Sequence, residues 1–119
     1  MYRKRVGRWG EEIASEFLEK SGYIILERNF NTPYGEIDII TLFKEQIVFV
    51  EVKTRTNSSY GAPEGSITLQ KRAHMIDAAA YFLQTHPELD DNWQIDVITV
   101  EGSLHSRTPK ITHFQNAVS

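Results

Sequence analysis

The sequence predicts a small α/β domain with its elements in the order α-β-β-β-α-β. Three observations carry this. Two segments, Gly10–Lys20 and Thr68 to about Thr85, repeat apolar residues at helical spacing. Four shorter stretches are dense in Ile, Val, Leu and Phe and bounded by turn residues, the pattern of strands. The chain has 119 residues, 40% hydrophobic and 24% charged, which suits one domain with one core.

In the first helix Ile13, Ala14, Phe17, Leu18 and Ser21 fall on one face, and Ser21-Gly22 ends it. Glu12 points almost opposite the centre of that face. Glu11 lies at its flank, near Ala14 and Leu18, and can reach a site beside the sheet. The plainer role for Glu11 is to favour the N-terminal dipole of the helix. Tyr23–Arg28 reads as a strand, and Asn29–Gly35 as a turn-rich connection holding Pro33 and Gly35.

Gly35 to Arg55, GEIDIITLFKEQIVFVEVKTR, holds two apolar runs joined by a short polar break. With Lys44 and Glu45 at the tip of a hairpin, Phe43 faces Gln46, Leu42 faces Ile47 and Asp38 faces Glu51, while Glu36 faces Lys53. A three-residue loop would instead put Asp38 and Glu51 on different faces. Two carboxylates opposite each other repel. Exposure to water relieves that, and so does a divalent cation. Mg²⁺ takes oxygen ligands, often one or two carboxylates with waters and a phosphate. Lys53 beside the pair can orient a water or steady charge on a phosphate.

Thr54–Ser66 reads as a polar loop, in which Tyr60 either stacks on a base or covers a core edge. Thr68 caps the second helix. Its core face is read as Leu69, Ala73, Ile76, Ala80 and Leu83, with Gln70, His74, Asp77 and Tyr81 on the solvated side. Lys71 and Arg72, in its first turns, either meet phosphate across the site or form a solvated charged face. Pro87 stops the helix. Trp93–Val100 is a nearly continuous apolar run that fits a strand buried on both faces, with Asp96 as a partnered structural aspartate. Lys110–Phe114 is expected to add an edge strand before a frayed end.

There is no cysteine, which excludes disulfides, thiol nucleophiles and thiolate metal sites. No apolar run approaches the roughly 20 residues of a membrane span. Met1-Tyr2-Arg3-Lys4-Arg5 is basic with no apolar stretch after it, so it is not read as a signal peptide. The expectation is a cytoplasmic protein with no membrane partner. The net charge of −3 argues mildly against nucleic acid, but cations cluster at Arg3, Lys4, Arg5 and Arg8, at Lys53 and Arg55, and at Lys71 and Arg72. That fits a modest grip on phosphates.

Asp38 followed by Glu51-Val52-Lys53 resembles the PD-(D/E)XK nuclease motif. Gly7-x-x-Gly10-Glu11, Ala14, Gly22, Asn29, Gly35-Glu36-Ile37-Asp38 and Phe49-Val50-Glu51-Val52-Lys53-Thr54-Arg55 together resemble the YraN family, endonuclease-like proteins akin to Holliday junction resolvases. The likeness runs from about Gly7 to about Val100. Two departures are visible: no proline closely precedes Asp38, and Asn31 stands where an arginine is expected.

The resemblance implies a restriction-endonuclease-like three-layer fold with a mixed central sheet. It implies one domain over residues 1–119, with a core of about 7–101 and a C-terminal extension at 102–119. It implies a nuclease that hydrolyses DNA phosphodiesters, branched DNA included, with Mg²⁺ or Mn²⁺. Asp38, Glu51 and the Val52 carbonyl would hold the ion. Glu11, Asp38, Glu51 and Lys53 would form the catalytic set, and Arg8, Arg55, Lys71 and Arg72 would contact nucleic acid. A homodimer is left open. The competing class is a non-catalytic nucleic-acid-binding or scaffold protein that keeps the nuclease fold.

Overall fold

In the computed structural model, which describes residues 2–56, 67–89, 92–105 and 107–118, two helices flank a five-stranded sheet. The helices are α1 (Tyr2–Lys20) and α2 (Leu69–Thr85). The strands are β1 (Ile24–Thr32), β2 (Gly35–Phe43), β3 (Gln46–Arg55), β4 (Trp93–Glu101) and β5 (Lys110–Val118). Spatial order follows chain order, β1-β2-β3-β4-β5. All neighbours are antiparallel except β3 and β4, which are parallel and joined through α2. The predicted three-layer α/β architecture is therefore the one observed. Tyr60 and the rest of 57–66 lie outside the described residues.

Each sheet face buries its own apolar set. Ala14, Leu18, Tyr23, Ile39, Val48, Val50, Ile98 and Val100 form one cluster beneath α1. Ile37, Ile40, Ile47, Phe49, Ala78, Ala79, Phe82, Ile95 and Val97 form the other beneath α2. β3 alternates strictly between them. β4 is buried from Ile95 to Val100, as a strand covered on both faces must be.

α1 begins eight residues before its apolar periodicity does, at Tyr2 rather than Gly10. Its C-terminus closes as a Schellman motif: Gly22, at φ 96°, donates to the Glu19 carbonyl, and Tyr23 N–H donates to the Leu18 carbonyl at 2.9 Å. Gly10 faces β3 so closely that a Cβ there would run into the Thr54 side chain. Gly7, one turn earlier, faces open space.

The β2–β3 hairpin turns at Lys44 and Glu45, with Lys44 at φ 51°. Its register pairs Phe43 with Gln46, Leu42 with Ile47 and Ile39 with Val50, as the sequence predicts. β1 reaches Thr32, beyond the predicted Arg28, so the turn-rich connection contracts to Pro33 and Tyr34. The Thr32 hydroxyl closes that turn, donating to the Gly35 carbonyl at 2.7 Å and accepting from Tyr34 N–H at 3.0 Å.

Two expectations are corrected. The core face of α2 is rotated from the one read in the sequence. Leu69 is 85% exposed and Ala73 is exposed, while Ala78, Ala79 and Phe82 are buried. The two alanines let the helix approach the sheet, and the Phe82 ring fills the space between Phe30 and Phe49. The expected fraying also does not reach the described residues: β5 continues to Val118, which pairs with Ile95 and is buried. Asp96, fully buried, holds that last strand. It accepts from Gln94 Nε2, from Asn116 N–H and from the His113 ring at 2.7 Å, across the irregularity in the β4–β5 register.

Phe82→Ala should cost about 3–5 kcal/mol by denaturant melting, and Leu69→Ala close to nothing. Comparable losses would contradict the α2 face described here. In α1, alanine is the better helix former. Gly7→Ala should therefore stabilise by up to about 1 kcal/mol, whereas Gly10→Ala should destabilise by about 1–3 kcal/mol because it overpacks against Thr54.

Candidate metal and nuclease centre

The site forms where β2 and β3 part. Their register ends at Ile39 and Val50, while β3 continues beside β4 to the pair Arg55–Glu101. The Asp38 carboxylate enters the space that opens and accepts the Val52 N–H at 2.8 Å. β2 also stops alternating here: Ile37 and Ile40 both pack beneath α2, while Ile39 packs beneath α1. Asp38 stands at that switch. Across the sheet, the pairs Arg28–Ile39 and Phe30–Ile37 bracket Asn29 opposite Asp38, and Asn29 has φ 52°.

Asn29 spends that unusual backbone on carboxylates. Its side-chain amide donates to Glu11 at 2.8 Å and to Glu36 at 3.2 Å. It thereby ties α1 to β2. Glu11, Glu36 and Asp38 each offer a carboxylate oxygen, and these oxygens lie within 4.8 Å of one another. An all-oxygen, all-anionic donor set suits a hard divalent cation of the Mg²⁺ or Mn²⁺ type.

Glu51 belongs to the same electrostatic neighbourhood but lies outside that trio. Its side chain is only 11% exposed, and it pairs with the Lys71 ammonium at 3.4 Å. Glu51, Lys71 and Glu36 line one open cleft together with Tyr34, His74, Phe49, Ala78 and Ile95.

Burial pushes the Asp38 carboxyl up to about 8, and the Glu51 charge adds to the effect. Glu11 and Glu36 raise it further, while the Val52 N–H works the other way. Removing a carboxylate charge from this cluster is therefore favourable, and bringing in a cation would do the same work.

The predicted residues divide clearly. Glu11 and Asp38 meet in the acidic trio, and Glu51 sits beside Asp38. Lys53 follows Glu51 along β3, partly buried and in register with Thr99. Among the described residues no ion pair joins Lys53 to Glu36. Val52 is seen to contribute its N–H, through Asp38. Glu12 stays clear of the site, exposed and paired with Arg28 at 2.9 Å. Lys71 stays largely solvated while its ammonium faces Glu51, and His74 is exposed on the same cleft. Arg72 is partly buried, Arg8 is exposed on α1, and Arg55 is partly buried at the end of β3 with its carbonyl accepting the Gly102 N–H at 3.0 Å.

Two functional residues escape the sequence reading. Glu36 is assigned there to Lys53, because the hairpin register is carried past Ile39–Val50, where the pairing ends. Asn29 is noted only within the motif. Its role depends on a left-handed backbone, which Asn tolerates better than most residues, and an asparagine at the start of the turn-rich stretch 29–35 is the one available signal.

Asp38 yields a pH prediction. The unfolded chain ionises this carboxyl near its ordinary 3.8, while the folded chain keeps the proton until about 8. Across that window the unfolded state binds fewer protons, so Asp38 lowers stability as pH rises. Asp38→Asn keeps an acceptor for Val52 N–H and removes the charge. Without metal, it should melt above wild type by about 4 °C or more near pH 8, with the gap closing toward pH 4. Parallel melting-versus-pH curves for the two proteins would contradict this.

Residues 10–100 match the family described as "Uncharacterised protein family UPF0102". A UPF0102 protein of Syntrophomonas wolfei is 40% identical over 114 residues, covering 96% of this chain and 97% of its own. One from Clostridium perfringens strain SM101 is 40% identical over 116 residues, covering 98% and 95%. One from Desulfosudis oleivorans is 44% identical over 104 residues, covering 87% and 85%. Among solved structures, Pyrococcus furiosus SfsA in complex with Ca²⁺ aligns with 98% of this chain and 65% of its own, at 14% identity and a TM-score of 0.40. With the family model spanning most of the chain and relatives covering it nearly end to end, the protein belongs to the UPF0102 family, the YraN family that its motifs resemble.

Proposed function

We propose that this protein is a divalent-metal-dependent nuclease that hydrolyses DNA phosphodiester bonds. One observation carries the reading: a carboxylate trio, Glu11, Glu36 and Asp38, is built where β2 and β3 part, with Glu51 and Lys53 on the adjoining strand. No helix among the described residues is long and apolar enough to cross a membrane.

Asp38 and Glu51 would hold the ion, joined by Glu11 or Glu36 and by the Val52 carbonyl. When bound, Mg²⁺ or Mn²⁺ supplies Lewis-acid polarisation of the scissile phosphate. Asn29 keeps Glu11 and Glu36 pointed inward. The Val52 N–H fixes one oxygen of Asp38 and leaves the other for a ligand. Lys53 orients the attacking water and, as a cation, steadies the charge that builds on the phosphate. Arg8, Arg55, Lys71 and Arg72 contact the flanking backbone. Branched DNA is the substrate class implied by the motif's resemblance, and fold likeness alone does not set it. A net charge of −3 fits a moderate, salt-sensitive grip.

The test is cleavage of linear, flapped and four-way DNA in millimolar-scale Mg²⁺ or Mn²⁺. Wild type should cut at least one of them. Glu51→Ala and Lys53→Ala should each lose on the order of 10²-fold in rate while remaining folded. Glu11→Gln should lose more than Glu12→Gln, whose parent carboxylate faces Arg28. DNA binding without cleavage by wild type would replace this reading with the non-catalytic one.

A further inference from the structure

The cation at Glu51 raises a question that the proposed reaction does not answer. Lys71 lies in the first turn of α2, a turn with no acidic residue. A cation there opposes the helix dipole. The Thr68 hydroxyl already caps the turn by accepting the Lys71 N–H at 3.0 Å, so the ammonium adds nothing to the cap. What holds it is Glu51, whose side chain is 11% exposed while that of Lys71 is 42% exposed. A nearly buried carboxylate needs a counter-charge more than an exposed ammonium does. The separation of 3.4 Å is longer than the roughly 2.7–2.9 Å of a strong charge-assisted hydrogen bond. The pair is electrostatic and loose, on a long, half-exposed stem that can swing away.

We infer that Lys71 is an exchangeable internal counter-ion: it neutralises Glu51 while the site lacks metal, yields Glu51 to an arriving divalent cation, and then places its ammonium on a DNA phosphate at the mouth of the cleft. The inference rests on the reading of Glu51 as a metal ligand. No bond is made or broken. One cation replaces another on Glu51, and the freed lysine acquires an anionic partner. The cleft suits this, since Glu51 and Lys71 both line it and Lys71 is the member nearer solvent. The lysine is thus a positioning residue that couples metal occupancy to DNA affinity. It disfavours metal before DNA arrives and rewards the two together.

The experiment is a calorimetric Mn²⁺ titration of the intact protein without DNA, for wild type, Lys71→Met, Lys71→Arg and Glu51→Gln/Lys71→Met beside Glu51→Gln. Lys71→Gln serves as a second neutral variant should Lys71→Met fail to fold. Lys71→Met should bind Mn²⁺ about threefold tighter or more, because the competing cation is gone. Lys71→Arg should stay near wild type. In the Glu51→Gln background the Lys71→Met change should have no effect. With Mn²⁺ present, Lys71→Met should bind DNA more weakly than wild type, and without metal the difference should shrink. If wild type binds Mn²⁺ and Lys71→Met binds it equally or less tightly, the exchange is overturned and the metal site stands. If neither protein binds Mn²⁺, the exchange falls together with the metal reading.

Discussion

Four carboxylates, Glu11, Glu36, Asp38 and Glu51, converge where the second and third strands part, and their mutual repulsion must be met by something nearby. Each has a visible partner. The Asn29 amide spans Glu11 and Glu36, the Val52 N–H takes one oxygen of Asp38, and the Lys71 ammonium faces Glu51. Those contacts come from five different elements: α1, β1, β2, β3 and α2. The acidic centre is therefore a junction at which the layers are tied together. Burial first, and the neighbouring carboxylates after it, hold the Asp38 carboxyl well above its ordinary range despite the Val52 N–H.

The sheet explains why the centre can exist at all. β3 is the strand at which pairing changes from antiparallel to parallel. Its first half is enclosed on both edges and both faces, and supplies Ile47, Val48, Phe49 and Val50 to the two cores. Among the described residues its second half keeps only β4 as a backbone neighbour, because β2 pairs with it from Ile39 onward and residues 35–38 stand apart. A strand buried at one end and open on one edge at the other can carry Glu51 and Lys53 without burying unpaired charge. Gly10 serves the same end from the other side. Lacking a Cβ, it lets α1 come down on Thr54 and brings Glu11 within reach of Asp38.

On the neighbouring strand, in register with Val50, Asp96 illustrates a different use of a buried acid. It is fully buried yet has three donors around it, from Gln94, His113 and Asn116. Nothing is left over for a ligand. Asp38 has one backbone donor and three carboxylates around it. The contrast in satisfaction, and not burial, is what separates a structural aspartate from a candidate ligand.

The linear sequence was enough to determine the element order, the hairpin register from Phe43–Gln46 to Ile39–Val50, the doubly buried fourth strand and the family. Apolar periodicity and turn residues are local properties, and a family motif is a local string. Glu11, Asp38, Glu51 and Lys53 could be named as a group on the same ground. Tertiary structure alone decided the rest. Which face of α2 meets the sheet depends on Phe82 finding space between Phe30 and Phe49, a fit that periodicity cannot see. Glu36 joins the acidic trio because β2–β3 pairing ends at Ile39–Val50, and a register carried past that point would have sent it to Lys53. Val118 becomes core only because β5 pairs with β4 across an irregular register. Asn29 and Lys71 became partners of the acids through contacts that span 7 to 20 positions along the chain. Such contacts are set by how layers pack, and packing is a property of the whole chain and not of any one stretch.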